Sequence, residues 1–294
     1  MRILPKMAAT GGSTLEAGFG MLELLVSITI GTFVVAGLFS LLYNLTLAST
    51  SHTSLASLED NERVAMMAIQ NVVQNAGYVP QNYYFTTAAT QPLVASGLPI
   101  STAPSDAPAP GFNSAGQFMY GVSGSSASDS IYIRYIAGSA ANGSDGVTDC
   151  VGRSFSTGSV YGYPFSAKFS VDGSGNLICT AYDNTNAATN YYIASGLSTS
   201  ASAPGLQISY GVDYTSTSGM TGSVTEYIPA SAMTNYWYVS STSIYKSYIR
   251  SVKFTLNFVN PLYNNVHSTY NSGQPATVQF SFVVFLINNP TGAT

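Results

Sequence analysis

A single carboxylate, Glu23, sits near the start of an apolar run that holds no other Asp, Glu, Lys, Arg or His between Phe19 and Ser51. The run opens Gly18-Phe19-Gly20-Met21-Leu22-Glu23-Leu24-Leu25-Val26 and continues to Leu47. A secretory signal has an apolar core of about 7–15 residues with its cut site after that core. A buried core helix is shorter and amphipathic, whereas about 20 or more apolar residues suffice to cross a bilayer. A carboxylate in such a segment costs about 2.5–3.5 kcal/mol on insertion scales, so it is retained where it has a partner and a role. An unprocessed membrane anchor would explain the length but neither Glu23 nor the Gly18-Phe19 pair. Arg2 and Lys6 precede the run, and the next basic residue is Arg63. The positive-inside bias therefore predicts a cytoplasmic N-terminus with the rest of the chain outside.

Only 7% of residues are charged, while Tyr occurs 21 times. Ordinary soluble proteins carry about 25% charged residues. Ser, Thr, Asn and Gly do the solvating here, which suits an exported protein better than a cytosolic enzyme. Of nine basic and thirteen acidic side chains, Arg2, Lys6 and Glu16 precede Phe19. The remainder is acidic and has no electrostatic footprint for phosphate, so no nucleic-acid partner is expected.

The helical pattern continues past the membrane-length run. Leu55, Leu58, Glu62, Ala65, Met66, Ile69, Val72, Val73 and Ala76 recur at three- and four-residue spacing, an amphipathic stripe. Gly77 and Pro80 supply a stop signal. A helix over 21–76 would run roughly 80 Å, greasy all round in its first half and on one face in its second. Residues 78–118 contain six prolines and no period, and are expected to form a long loop. Beyond them, β-branched and aromatic runs alternate with Gly, Ser, Asn and Asp. Strands are predicted at 117–121, 130–136, 167–171, 177–182, 205–213, 249–259 and 276–287, with long loops at 137–147, 183–204 and 215–247. Asp172-Gly173-Ser174-Gly175-Asn176 reads as a hairpin turn, because Asp-Gly and Gly-Asn accept positive φ cheaply.

Cys150 and Cys179 are the only cysteines. An even count in an exported domain favours a disulfide, and two unrelated buried thiols are the alternative. Candidate chemistry is sparse. His52 and His267 have no nucleophile in an arranged pattern. Gly121-Val122-Ser123-Gly124-Ser125 has Ser125 where a nucleophile elbow needs its second Gly. The Asp172 loop lacks the downstream Glu of a calcium site. No metal or cofactor is expected, and no catalytic residue. Tyr236-Trp237-Tyr238 is a recognition surface or sheet packing, with nothing in the sequence to decide. Asn44-Leu45-Thr46 and Asn142-Gly143-Ser144 match glycosylation sequons by pattern only.

Residues 11–50 resemble the signal region of the type IV pilin superfamily: Gly18 before the cut, Phe19 as first mature residue and Glu23 as fifth. Gly20 and Met21 depart from the more usual residues. The body is similar to PilW-type minor pilins in Glu62-Arg63, Ile69-Gln70, Ala76-Gly77-Tyr78, Ile131–Tyr135, Asp149-Cys150-Val151-Gly152, Asn176–Cys179, Ser209–Asp213 and Phe285–Asn289. Ile287 stands where that family often has Arg, and the segments 78–118 and 215–247 have no counterpart. The resemblance implies an α+β fold, a long N-terminal helix packed on a C-terminal antiparallel β-sheet domain. It implies a leader 1–18, a helix 19–76 with 19–47 as membrane and filament core, and a globular domain 77–294. It further implies cleavage between Gly18 and Phe19 by a prepilin peptidase and N-methylation of Phe19. Glu23 would then compensate the Phe19 amine of a neighbouring subunit. Implied partners are an inner-membrane assembly platform, other major and minor pilins, and lipid before assembly. The implied role is non-enzymatic: priming the filament tip and supporting adhesion. A type II secretion pseudopilin of J type, a membrane-anchored adhesin and a major filament subunit are the alternatives.

Overall fold

The computed structural model describes residues 20–78, 112, 117–124, 128–136, 147–152, 164–182, 188–213, 223–233, 239–241, 244–246, 249–263 and 275–287. Helix α1 spans Met21–Gln74. The chain divides into two compact units, Met1–His52 and Thr53–Thr294.

Within the first unit, α1 is apolar on every side and almost wholly exposed. Its polar side chains are turned back on the helix. Ser27 Oγ donates to the Glu23 carbonyl at 2.7 Å, and Thr29 Oγ1 donates to Val26 at 2.8 Å. Asn44 Nδ2 donates to Ser40 at 2.9 Å and Thr46 Oγ1 to Leu42 at 2.7 Å. Such back-bonding satisfies hydroxyls and amides without water, which a helix in hydrocarbon requires.

The second unit begins with the amphipathic half of α1. Leu58, Ala65, Ile69, Val72, Val73 and Ala76 are buried, and Leu55, expected on the same stripe, is exposed. Among the described residues eleven strands follow, joined in two main antiparallel sheets and a ribbon. The first sheet holds, in order, β1 (Met119–Val122), β2 (Ser130–Ile136), β3 (Pro164–Val171), β4 (Leu177–Tyr182) and β5 (Ala188–Ala194). Every neighbour is also the next strand in sequence, so the sheet is a meander. The second sheet is made from β6 (Leu206–Val212), β7 (Glu226–Pro229), β10 (Ile249–Val259) and β11 (Thr277–Phe285), in the order β11-β10-β6-β7. Strands β8 (Val239–Ser241) and β9 (Ile244–Lys246) form the ribbon.

The helix stripe and the inward faces of both sheets share one core. Ile131, Ile133, Phe169 and Leu177 enter it from the first sheet, and Ile208, Tyr210, Phe254 and Leu256 from the second. Each large apolar side chain fully buried contributes about 1.5–3 kcal/mol, enough to hold the amphipathic half of α1 in place. The two sheets also meet through backbone. Ser198 N–H donates to Asn257 at 2.8 Å, Val259 N–H to Gly196 at 2.8 Å, and Asp129 N–H to Leu206 at 2.8 Å.

The architecture is the α+β layout read from the sequence, a long N-terminal helix whose amphipathic half packs on antiparallel sheets. Strands expected at 130–136, 177–182 and 249–259 have those bounds. Two expected loops contain strands. β5 falls within 183–204, and β7, β8 and β9 fall within 215–247. β5 was hidden because Ala188, Thr189 and Asn190 are exposed, so its first half carries no apolar alternation. β7 to β9 are only three or four residues long, below the length at which a period is visible. Most of the expected loop 78–118 lies outside the described residues, as do Gly18, Phe19, His267, Tyr236-Trp237-Tyr238 and the sequon at Asn142.

Candidate functional site

Glu23 lies in the first turn of α1, where the partial positive charge of the helix N-terminus favours a carboxylate. The Gly20 carbonyl accepts from Glu23 N–H at 2.9 Å and from Leu24 N–H at 3.2 Å, closing that turn. From Glu23 onward the apolar half of α1 is uncovered: Leu22 is 78% exposed, Phe33 79% and Phe39 68%. An exposed apolar surface of this extent on a helix long and apolar enough to cross a membrane is a candidate span. Gly18 and Phe19, the expected processing pair, lie outside the described residues.

The end of α1 is tied to β2. Gly77 has φ of +75°, a left-handed conformation natural to glycine. Its N–H donates to the Arg134 carbonyl at 3.1 Å, and Ile136 N–H donates to the Tyr78 carbonyl at 2.8 Å. Asn71 Nδ2 reaches Thr148 Oγ1 at 2.9 Å, next to the disulfide segment. Arg134 is fully buried, its Nε donating to the Gln117 carbonyl and its guanidinium lying 4.5 Å from the centre of the Phe112 ring.

Cys150 and Cys179 are joined in a disulfide, with Cα atoms 6.4 Å apart. Cys179 belongs to the inward face of β4, and the bond staples the segment at Val147–Gly152 to the sheet. Nearby, Tyr135 is buried with its hydroxyl donating to the Thr148 carbonyl at 2.8 Å. Burial, and then the Asp149 charge, hold its ionisation well above the ordinary phenol range.

The Asp172 loop is a turn. Asp172 Oδ1 accepts from Ser174 N–H at 2.9 Å and Asn176 N–H at 2.8 Å, while Oδ2 accepts from Asn176 Nδ2 at 2.9 Å. These bonds, the Asn176 side chain first, hold its carboxyl below the usual range. Gly175 has φ of +78°, and a Cβ there would collide with the Leu197 carbonyl.

A second constellation escaped sequence reasoning. On the outward face of the first sheet, the register aligns Tyr120, Tyr132, Lys168, Thr180 and Asn190 in one row across all five strands. The Tyr120 and Tyr132 ring centres are 6.0 Å apart, and Lys168 Nζ lies 5.4 Å from the Tyr132 ring centre. Thr180 Oγ1 donates to Asn190 Oδ1 at 2.8 Å. The five residues come from five strands, so only the pairing register reveals them as neighbours. The one sequence signal was the parity of tyrosines at outward positions.

His52 is exposed on α1, and Ser123 accepts a hydrogen bond from the Ser231 N–H rather than facing a base. Among the described residues, no group of three His, Cys, Asp or Glu is arranged to hold a metal ion. No family model, curated protein or solved structure matches the chain.

Proposed function

We propose that this chain is a structural minor pilin of PilW type, anchored in the inner membrane by the apolar half of α1 and then drawn into an extracellular type IV pilus. The observation that carries the reading is the exposed apolar surface of α1, with Glu23 as its only charge, continuing into a half that seats in a folded β-rich unit. A helix built this way needs lipid first and other apolar helices later. Once packed among neighbours, Glu23 sits in a low dielectric, where its attraction to a Phe19 amine is several-fold stronger than in water. A buried ion pair of this kind sets axial register, the best-attested use of buried polar groups.

A prepilin peptidase would cut after Gly18, and an assembly platform would lift the subunit beside other pilins. The β-rich unit would stay outside the cytoplasm, and the protein would work without catalysis. The outward Tyr120–Asn190 row favours a second reading, a membrane-anchored adhesin that never enters a filament.

The deciding experiment is recovery of the protein in sheared filaments from cells carrying wild type or Glu23→Ala. The pilin reading expects wild type in the filament fraction, and the variant membrane-inserted but absent from it. Equal incorporation of the two would remove the role given to Glu23. Absence of both from filaments would favour the anchored adhesin.

A further inference from the structure

The outward face of the first sheet has an unusual balance of charge. None of its five strands contains Asp or Glu, and its only ionised side chains are Arg134 and Lys168. Arg134 is buried, which leaves Lys168, among the described residues, as the one cation on the face that is not fully buried. Among the described residues Lys168 has no carboxylate partner. Its ammonium lies against the Tyr132 ring, 5.4 Å from the ring centre. An ammonium poised over a ring face keeps its charge and its outer hydrogens available to a ligand.

The rest of the row supplies the other elements of a recognition surface. Tyr120 and Tyr132 offer adjacent ring faces that are amphipathic and lose little conformational entropy on contact. Thr180 and Asn190 offer a hydroxyl and an amide already oriented by their mutual hydrogen bond. Tyr192, on the same face of β5, is 72% exposed. Five strands give four intervals of about 4.8 Å, so the row extends about 19 Å. A surface of this length, with two adjacent rings followed by three polar groups, suits an extended chain of sugars. The C–H faces of pyranose rings lie on tyrosines, and their hydroxyls bond to amides and alcohols. Lys168, with no carboxylate partner among the described residues, selects within that class for a sugar that carries a carboxylate.

We infer that the Tyr120–Tyr132–Lys168–Thr180–Asn190 row is a binding site for an acidic polysaccharide, with Lys168 pairing with a uronate carboxylate. The site belongs to the sheet alone and does not depend on filament assembly. A nucleic acid would meet one cation on an acidic chain, where phosphate binding draws on several.

The test is calorimetric titration of the full chain in detergent micelles with an oligogalacturonate, a neutral cello-oligosaccharide and an oligothymidylate. Wild type is expected to bind the uronate best. Lys168→Met keeps the aliphatic stem over Tyr132 and should weaken uronate binding about tenfold, as loss of a charged hydrogen bond does, while leaving the neutral sugar unaffected. Tyr132→Ala should weaken both sugars. If circular dichroism shows that variant misfolded, Tyr192→Ala replaces it with the same expectation. Tyr227→Ala, on the other sheet, should change nothing. Uronate binding that is undetectable at millimolar ligand, indifferent to Lys168→Met, or weaker than oligothymidylate binding would overturn the inference.

Discussion

Gly77 N–H donates to the Arg134 carbonyl at 3.1 Å, joining the turn that follows the long helix to β2. The bond is possible because Gly77 turns the chain at φ of +75°. An L-residue in that conformation costs about 1–2 kcal/mol. Gly77→Ala should therefore lower the melting midpoint of the β-rich unit by about 2–8 °C. Near-ultraviolet circular dichroism of the full chain in detergent reads this change. An unaltered midpoint would mean that the helix end tolerates another route into the sheet.

The Cys150–Cys179 bond joins residues 29 positions apart. In the chain-entropy model closing such a loop contributes about 3–4 kcal/mol. Reduction, or Cys150→Ser with Cys179→Ser, should lower the same midpoint by about 6–16 °C. A shift of less than a degree would show that the loop is held by packing alone.

Asp213 is fully buried and Arg250 nearly so, with Arg250 Nε and Nη2 both 3.1 Å from Asp213 Oδ2. Removing one partner takes the ion pair from a charge that stays at the edge of the core. Asp213→Ala should cost about 3–5 kcal/mol, and adding Arg250→Met should restore much of it. Urea unfolding of the two variants distinguishes this coupling from simple loss of volume, which predicts that the double variant is the worse of the two.

Asp172 gives a pH dependence of known sign. Its folded carboxyl titrates below the unfolded value because Asn176, through side chain and backbone, and then Ser174 and Gly175 donate to it. Its stabilising contribution is complete above the unfolded value of about 4 and is lost as pH falls through the lower folded value. Wild type should lose more stability than Asp172→Asn across that window. Parallel urea midpoints for the two proteins would contradict the account.

Much of this architecture was legible in the sequence because it rests on strong periods. The stripe from Leu58 to Ala76 and the run from Ile249 to Val259 bury apolar side chains at the spacing their elements require. The turn at Asp172–Asn176 was legible through its Asp-Gly and Gly-Asn pairs. β5 was not, since its exposed start at Ala188 follows the β4 register rather than any pattern of its own. The Lys168 row was invisible for a related reason. Its successive members are separated by 10 to 36 positions and meet only through strand pairing. Glu23, by contrast, stood out because a lone charge in a long apolar run is costly wherever that run is buried.

The central claim, that the chain is a processed pilin subunit, is tested most directly at its N-terminus. The measurement is the intact mass and terminal sequence of the protein recovered from membranes, for wild type and for Gly18→Ile. The account predicts a wild-type chain that begins with N-methylated Phe19, and a variant that retains its leader. A wild-type chain that still begins at the leader, or that is cut beyond the apolar run, would contradict it.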